Sequence, residues 1–141
     1  MKTAVIYWSG TGNTEEMANA VLAGAQAAGG EVTLLTADRF TGDQMDQYDA
    51  IAFGCPAMGS EVLEESEFEP MFATCEPKLT GKPIALFGSY GWGDGEWMRD
   101  WEARCKAAGA SLVAAPVIAN DAPGDEETAA CQALGAALQN F

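Results

Sequence analysis

Short, unbroken runs of hydrophobic residues alternate along the chain with longer stretches in which hydrophobic positions recur every three or four residues. The unbroken runs are Thr3–Trp8, Val32–Thr36, Ala50–Gly54, Pro83–Gly88 and Leu112–Ile118. A strand that is covered on both faces has no polar side, so runs of this kind predict the buried strands of a parallel sheet.

The periodic stretches predict helices at Thr14–Ala28, Phe68–Cys75, Glu96–Ala108 and Glu126–Leu138, and a short helical segment at Gly42–Tyr48. In the first helix, Ala18, Leu22 and Ala25 share one face, and Gly29-Gly30 provides the stop. Strands that alternate with helices predict an α/β fold with helices on both faces of the sheet. No linker or internal repeat is visible, so residues 1–141 are expected to form a single domain.

The composition excludes several classes of function. The formal net charge of −14 disfavours nucleic acids and anionic membranes as partners, because both require basic surfaces. The N-terminus runs straight into a strand and no apolar run reaches about 18 residues, which predicts a cytoplasmic protein without a membrane span. The chain has no histidine, the usual acid–base group at neutral pH and the commonest metal ligand. We therefore expect neither a catalytic residue nor a metal site.

The four cysteines, Cys55, Cys75, Cys105 and Cys131, contain no C-x-x-C pair and fall in apolar or helical contexts. Buried free thiols are therefore expected, rather than metal ligands or disulfides.

The loop after the first strand, Ser9-Gly10-Thr11-Gly12-Asn13-Thr14, combines backbone and side-chain donors at the start of a helix and contains no basic residue. Such a turn can bind a phosphate through N–H groups and the helix N-terminus. The alternative is a capped helix, with Asn13 as N-cap and Glu16 three residues on, but capping does not explain four polar side chains and two glycines together. The loop lacks both the lysine of a triphosphate loop and the third glycine of a dinucleotide fingerprint. A lone terminal phosphate is the better interpretation.

Two later loops carry flat and polarizable side chains. In SYGWGDGEW, Trp92 lies between glycines, where it can stack on a ligand ring; the alternative is a hydrophobic cover over the end of the sheet. In CPAMGSE, Met58 can cover the opposite face of the ring, and Glu61 is a hydrogen-bond acceptor. A phosphate at one loop and a ring held by two others describe a mononucleotide with a large ring system.

These motifs resemble the flavodoxins, specifically the short-chain flavodoxins of anaerobic bacteria. The segments YWSGTGNTE, GCPAMGSE, EPMF and ALFGSYGWGDGEWM occur in the family's order and spacing, and the resemblance covers the whole chain. It implies a three-layer sandwich with a five-stranded parallel sheet of order 2-1-3-4-5. It also implies noncovalent binding of flavin mononucleotide (FMN).

The resemblance further implies the role of each loop. The first loop holds the phosphate beside Trp8, Met58 and Trp92 flank the ring, Glu61 accepts the ring N3–H, and N–H groups around Gly91 face the pyrimidine carbonyl. Relatives can carry serine in place of Pro56, and Asp121 matches a position near the ribityl chain only loosely. The candidate FMN-binding residues are Trp8, Ser9, Gly10, Thr11, Gly12, Asn13, Thr14, Pro56, Ala57, Met58, Gly59, Ser60, Glu61, Ser89, Tyr90, Gly91, Trp92 and Asp121.

Two functions compete on this scaffold. The first is a low-potential one-electron carrier, not an enzyme, that shuttles its flavin between semiquinone and hydroquinone. The second is an FMN-dependent NAD(P)H:quinone reductase, which needs room over the ring and a basic residue for a nicotinamide phosphate. Met58 and Trp92 are expected to cover the ring, and no basic residue occurs between Gly54 and Lys78, so the carrier is favoured. A phospho-receiver domain of the same topology needs an aspartate at the end of the third strand. This chain has Gly54-Cys55 there, so that function is excluded.

The carrier is expected to be a monomer that docks basic faces of reductases and low-potential acceptors. The acidic residues Glu61, Glu64, Glu65, Glu67 and Glu69, with Asp94 and Glu96 nearby, are predicted to form the docking face and to disfavour the anionic reduced flavin; the alternative is a solvated helix face. In Met58-Gly59-Ser60-Glu61, the central peptide is expected to rotate on reduction. The turn would change from type II, with positive φ at Ser60, to type II′, with positive φ at Gly59.

Overall fold

A computed structural model describes residues 1–141 and contains six strands and four α-helices. The strands are β1 (Lys2–Tyr7), β2 (Glu31–Thr36), β3 (Ala50–Gly54), β4 (Pro83–Tyr90), β5 (Ser111–Leu112) and β6 (Val117–Asn120). The helices are α1 (Asn13–Ala27), α2 (Phe68–Cys75), α3 (Glu96–Ala107) and α4 (Asp125–Ala137). Short 3₁₀ segments occupy Ala37–Arg39, Gly42–Gln47 and Glu76–Lys78.

The sheet is parallel throughout and has the predicted order, β2-β1-β3-β4-β5, with β6 also paired to β4. β2 lies on one side of β1 and β3 on the other, so the order of the strands reverses at β1. In open parallel sheets, ligands bind at this switch point, beyond the carboxyl end of the strand at which the order reverses. The loop after β1, Trp8–Gly12, lies there.

The prediction of one continuous fifth strand, Leu112–Ile118, was wrong, because the strand is divided into β5 and β6. Both pieces pair with β4, while Ala114 and Ala115 between them are exposed. Pro116 has no N–H to donate to the ladder, and at an edge no outer strand holds the chain in register. The other predicted elements are present with ends that differ by at most two residues, and Gly42–Gln47 is 3₁₀ rather than α-helical.

Each face of the sheet has its own hydrophobic core. The face under α2 and α3 is built from large side chains, including Phe53, Phe68, Phe72, Trp97 and Trp101. The face under α1 and α4 is built mainly from Ala and Val, together with Met17 and Leu134. Small residues let these two helices approach closely, as α1 and α4 do at Gly24 and Gly135.

The cysteines are all free and buried, as predicted. Burial raises the pKa of the thiol to about 12 for Cys55, Cys105 and Cys131, and to about 11 for Cys75. These side chains therefore act as small hydrophobic residues in the core.

Candidate flavin-binding site

A cavity of about 250 Å³ lies beyond the carboxyl ends of β1, β3, β4 and β6. All 13 residues that line it belong to the predicted binding set: Trp8, Ser9, Gly10, Thr11, Asn13, Thr14, Pro56, Ala57, Met58, Ser89, Tyr90, Gly91 and Asp121. The structure thus brings together four loops that are far apart in the sequence: the first loop (8–14, after β1), the second loop (55–61, after β3), the third loop (89–95, at the end of β4) and the loop after β6. The other predicted residues, Gly12, Gly59, Ser60, Glu61 and Trp92, do not line this cavity.

The loop after β1 presents backbone donors that the protein itself does not use. Its N–H groups at Ser9, Gly10, Thr11, Asn13 and Thr14 have no acceptor within the chain. The helix begins at Asn13 without a side-chain cap, so the alternative role of Asn13 as N-cap is wrong. Five free N–H groups in one turn, at the positive end of a helix dipole, fit a bound phosphate.

The Ser9 side chain shapes this turn. Its hydroxyl oxygen accepts hydrogen bonds from the N–H groups of Gly12, at 3.1 Å, and Glu15, at 3.3 Å. Gly12 has φ = 100°, a left-handed conformation that favours glycine. The hydroxyl and Gly12 together fold the loop so that the remaining N–H groups stay unpaired.

The deep wall of the cavity joins the first loop to the end of β4. The Thr14 and Ser89 hydroxyls form a buried hydrogen bond of 3.1 Å, and the Ser89 carbonyl accepts the Ala57 N–H at 3.0 Å. Thr14 and Ser89 were both predicted to bind the ligand, and in the structure they also connect loops of the cavity. Each helps to hold one loop of the cavity against another.

The second loop contains a tight turn in which the Glu61 N–H donates to the Met58 carbonyl at 2.8 Å. Neither Gly59 nor Ser60 has positive φ, so the turn is neither of the two predicted forms, type II or type II′. The left-handed residue is Glu61 instead, with φ = 51°. A second hydrogen bond, of 3.0 Å, runs from the Met58 N–H to the Val62 carbonyl. It closes the loop one residue later and holds Glu61 in its left-handed conformation.

The Glu61 carboxylate packs against the third loop. A Cβ atom at Gly93 would lie 2.5 Å from Glu61 Oε1, so only glycine leaves room for this contact. Oε1 is buried and has no hydrogen-bond partner in the protein. Burial raises the pKa of Glu61, as do the nearby Glu96 and Asp94 carboxylates, against an opposing effect of Arg99.

Trp92 follows the lining residue Gly91 but does not itself line the cavity. Its side chain is 64% exposed. The neighbouring aromatic residues are fixed instead: the Tyr90 and Trp97 ring centroids lie 5.4 Å apart, and Trp97 donates its indole N–H to the Cys55 carbonyl at 3.1 Å. Trp92 is therefore an exposed aromatic side chain next to the cavity rather than part of its wall.

The acidic run after the second loop is not one exposed surface, which corrects the sequence-based interpretation. Glu64 is only 5% exposed, and its carboxylate accepts the N–H groups of Glu67 and Phe68, both at 2.8 Å, at the start of α2. Glu69 is bound by Arg104. Sequence reasoning missed the Glu64 cap; the available signal was the lack of a Ser, Thr, Asp or Asn immediately before Phe68.

A larger cavity, about 790 Å³, lies on the other side of the first loop, towards the residues after β2. It contains no residue of the second or third loop and cannot be the ring site. Trp8 contributes to both cavities, and its indole N–H donates to Glu67 at 2.9 Å. Sequence reasoning did not foresee this link between the first loop and the acidic segment.

The residues in and next to the 250 Å³ cavity fit FMN in two respects. The first loop offers unpaired N–H donors for a phosphate, and Glu61 offers a buried acceptor that no protein group satisfies. A parallel sheet with such a loop at its switch point defines an α/β protein of the mononucleotide-binding class.

The flavodoxin family model matches residues 5–135, and the chain belongs to the flavodoxin family. It is 45% identical to a flavodoxin of Clostridium beijerinckii over 97% of this chain and 99% of that protein. It is 46% identical to a flavodoxin of Megasphaera elsdenii over 94% of this chain and 95% of that protein. The solution structure of two-electron reduced Megasphaera elsdenii flavodoxin superposes with a TM-score of 0.90 over 99% of both chains, at 45% identity.

These relationships confirm the predicted function class. The protein is an FMN-binding electron carrier rather than an enzyme, and the reductase alternative is not supported. It exchanges electrons with redox partner proteins. None of its helices combines the length and the apolar character needed to cross a membrane.

Proposed function

We propose that the protein is a low-potential one-electron carrier that holds FMN noncovalently in the 250 Å³ cavity, with its phosphate on the loop after β1. The free N–H groups of this loop support the assignment, because they would satisfy an anion without any cation. The hydroxyls of Thr11 and Thr14 and the Asn13 side chain lie on the same turn and can add hydrogen bonds.

The flavin ring would lie between the second and third loops. Met58 and the partly buried Tyr90 line the cavity, and the exposed Trp92 lies two residues after Tyr90. We assign the ring N3–H to Glu61, whose buried Oε1 lacks a partner. FMN, when bound, supplies the one-electron chemistry. The chain binds the ring, limits its contact with water and determines the charge around it.

The charge near the ring favours a low potential. Glu61, Asp94 and Glu96 lie together beside the third loop, and Arg99 opposes them only in part. A negative environment disfavours each added electron. Replacing Glu96 by Gln is expected to raise the reduction potentials, whereas Glu31→Gln, at the amino end of β2, is expected to leave them unchanged.

We assign partner docking to the exposed acidic residues nearest the cavity, Glu65, Glu67, Asp94 and Glu96, with Trp92 among them. Such a surface would attract basic partner faces, and the rate would fall as salt rises. Docking would thus rest on fewer carboxylates than the sequence implies. Paired Glu65→Gln and Glu96→Gln changes should lower the salt dependence of reduction by a basic reductase; an unchanged salt dependence would exclude this face.

We also propose a monomer in the cytoplasm. Only four large hydrophobic side chains are exposed, Met1, Val62, Trp92 and Phe141, which is little apolar surface for an interface between copies. Strong negative charge opposes self-association. Four free cysteines suit a reducing compartment. Analytical ultracentrifugation at low and high salt would measure the molar mass and so test whether the protein is a monomer.

The decisive experiment concerns the phosphate. FMN-free protein should bind FMN on the order of 10²-fold or more tightly than riboflavin, since riboflavin leaves several donors unsatisfied. Flavin fluorescence titrations measure both affinities. Ser9→Ala removes the acceptor that shapes the loop. It should weaken FMN binding and reduce the ratio of the FMN affinity to the riboflavin affinity. Equal affinity for the two flavins would refute the phosphate assignment.

A further inference from the structure

The Trp8 side chain links the first loop to the start of α2. Its indole N–H donates to Glu67 Oε1 at 2.9 Å, across 59 positions of the sequence. Trp8 also lines both the 250 Å³ cavity and the 790 Å³ cavity. It therefore lies where the proposed phosphate site meets the larger cavity.

The Trp8 ring packs against Gly10 in the same loop. A Cβ atom at Gly10 would lie 3.2 Å from Trp8 Cη2 and 3.3 Å from Trp8 Cζ3, closer than ordinary van der Waals contact. Gly10 does not have positive φ, so the backbone conformation alone does not require glycine here. Contact with the ring does. Gly10 carries one of the five unpaired N–H groups of the loop, so the position of the ring bears directly on a proposed phosphate donor.

Both partners of this hydrogen bond are anchored through their backbones. Glu67 immediately precedes α2, its N–H donates to the Glu64 carboxylate at 2.8 Å, and its carbonyl accepts the Met71 N–H at 3.3 Å. The Trp8 N–H donates to the Gly54 carbonyl at 3.0 Å, at the end of β3. The bond between the indole and the carboxylate thus joins two fixed points of the fold.

We propose that Glu67 is a positioning residue for the FMN phosphate. Its hydrogen bond holds the Trp8 ring against Gly10 and so fixes the Gly10 N–H in the first loop. Glu67 thereby contributes to the preference for FMN over riboflavin. The inference rests on the proposed binding of the phosphate to this loop. It gives Glu67 a task in the free protein that is separate from its proposed part in partner docking.

Charge and positioning lead to opposite expectations for Glu67. A carboxylate next to the first loop repels a phosphate, so the charge of Glu67 alone weakens FMN binding, and its removal would tighten that binding. The hydrogen bond to Trp8 acts in the other direction, because a ring that is no longer held leaves Gly10 free to move. The sign of the change in FMN affinity therefore separates the two effects.

The first test compares Glu67→Ala with Glu67→Gln in the FMN-free protein. Both variants remove the charge, but the glutamine side chain keeps an oxygen that can accept the indole N–H. Glu67→Ala should lower the affinity for FMN by about 3- to 10-fold, the effect of one net hydrogen bond, and leave the affinity for riboflavin unchanged. Glu67→Gln should keep most of the parent affinity for FMN or exceed it. Flavin fluorescence titrations measure all of these affinities.

Three results of these titrations would overturn the proposal. The first is a Glu67→Ala variant that binds FMN as tightly as the parent protein or more tightly. The second is an equal loss of FMN affinity in Glu67→Ala and Glu67→Gln, because the retained acceptor would then have no effect. The third is an equal loss for FMN and riboflavin, because the effect would then not concern the phosphate.

A double variant asks whether Glu67 acts through Trp8. Trp8→Phe keeps an aromatic ring but removes the indole donor. In this background, Glu67→Ala should no longer weaken FMN binding, since there is no hydrogen bond left to lose. A loss as large as in the parent background would mean that Glu67 acts by another route, and the proposal would be wrong.

Nuclear magnetic resonance of the FMN-free protein can follow the ring and the loop directly. Glu67→Ala should shift the Trp8 indole N–H signal and the Gly10 amide signal, and Glu67→Gln should shift the Gly10 signal less. The Trp97 indole N–H, which donates to the Cys55 carbonyl, should stay in place and provides the reference. A Gly10 amide signal that does not move in Glu67→Ala would contradict the proposal.

The failure of this inference is distinguishable from the failure of the proposed function. Equal affinity of the parent protein for FMN and riboflavin would refute the phosphate assignment itself. If the parent prefers FMN and Glu67→Ala keeps the full preference, the phosphate assignment stands and only the role of Glu67 is refuted.

Discussion

The hydroxyl oxygen of Thr14 lies 3.1 Å from that of Ser89, a residue 75 positions later in the chain, and both side chains are buried. Thr14 is in the first turn of α1, at the end of the donor-rich loop, and Ser89 is near the end of β4. The Thr14 hydroxyl also accepts the Ser89 N–H at 3.4 Å. One hydroxyl pair therefore sets the distance between the proposed phosphate loop and the strand that leads into the ring loop.

Replacing Thr14 by Val should destabilise the FMN-free protein by about 1–3 kcal/mol, because the isosteric side chain leaves buried polar groups of Ser89 unpaired. Thr14→Ser, which keeps the hydroxyl, is the control and should lose much less. Denaturant unfolding monitored by tryptophan fluorescence measures both. If Thr14→Val is as stable as the parent protein, the hydroxyl pair does not join these elements.

The fold could be predicted almost completely because each buried strand reads as an unbroken apolar run. Glycine and proline explain where the predicted elements were right and where one of them was wrong. Gly29, with φ = 93°, ends α1 where the sequence indicated, whereas Pro116 lies within the apolar run Leu112–Ile118 and interrupts pairing that hydrophobicity alone suggested. The strand order came from resemblance rather than from pattern, since nothing local to β1 specifies its neighbours.

The sequence predicts the cluster of N–H donors in the loop after β1, because backbone geometry decides it; that these donors bind a phosphate remains a prediction. The contacts of the acidic side chains were predicted less well, because each can bind several partners. Glu64 and Glu69 belong to the same acidic run as Glu65, yet the first caps α2 and the second binds Arg104. Those choices depend on residues brought close by the fold.

The contact between α1 and α4 leads to a prediction in which two effects oppose each other. A Cβ atom at Gly24 would lie 2.0 Å from the Gln132 carbonyl oxygen, and one at Gly135 would lie 2.1 Å from that of Val21. Alanine favours a helix over glycine by about 1 kcal/mol. Overpacking against backbone costs about 1–3 kcal/mol, because a backbone atom cannot move aside alone. We expect Gly24→Ala and Gly135→Ala to lower the free energy of unfolding.

The control for this comparison is Gly59→Ala. A Cβ atom at Gly59 would meet nothing within 4 Å, and Gly59 does not have positive φ. Its unfolding free energy, measured in the FMN-free protein, should therefore stay close to that of the parent. An increase in stability for Gly24→Ala would mean that helix propensity outweighs the clash and that the helices separate easily.

Arg104 joins α2, the segment after it, and α3. Its guanidinium binds both carboxylate oxygens of Glu69, at 2.8 and 2.7 Å, and both of Glu76, at 2.9 and 3.0 Å, while lying 4.9 Å from the Phe72 ring centroid. These bonds raise the pKa of Arg104 above its usual range. Lysine cannot reproduce this geometry, so Arg104→Lys should cost about 1–2 kcal/mol of stability.

The matched control is Arg99→Lys. Arg99 also binds a carboxylate, that of Asp94 at 2.9 Å, but the two side chains are 60% and 78% exposed. Exposed pairs contribute about 0–1 kcal/mol, so this variant should be nearly neutral. Denaturant unfolding at low and high salt separates the two cases. Equal losses for Arg104→Lys and Arg99→Lys would contradict a structural role specific to Arg104.

Because of Glu64, the free energy of unfolding should depend on pH in the acidic range. Burial tends to raise the pKa of its carboxyl, but hydrogen bonds from Ser66, Phe68 and Glu67 outweigh this effect and lower the pKa to about 2. Because the pKa is lower in the folded than in the unfolded state, the stabilisation is complete above about pH 4.5 and is lost as the pH falls towards about 2. At neutral pH it amounts to at most about 3 kcal/mol.

Glu64→Gln should therefore unfold more easily than the parent protein at pH 7, and the difference should shrink as the pH falls from about 4.5 towards about 2. Urea unfolding of the FMN-free protein across this range measures it. Glu65→Gln, next in sequence but exposed, is the control and should follow the parent curve. If the Glu64→Gln and parent curves stay parallel down to about pH 2, the carboxylate does not cap α2 in its charged form, and another group must satisfy the N–H groups of Glu67 and Phe68.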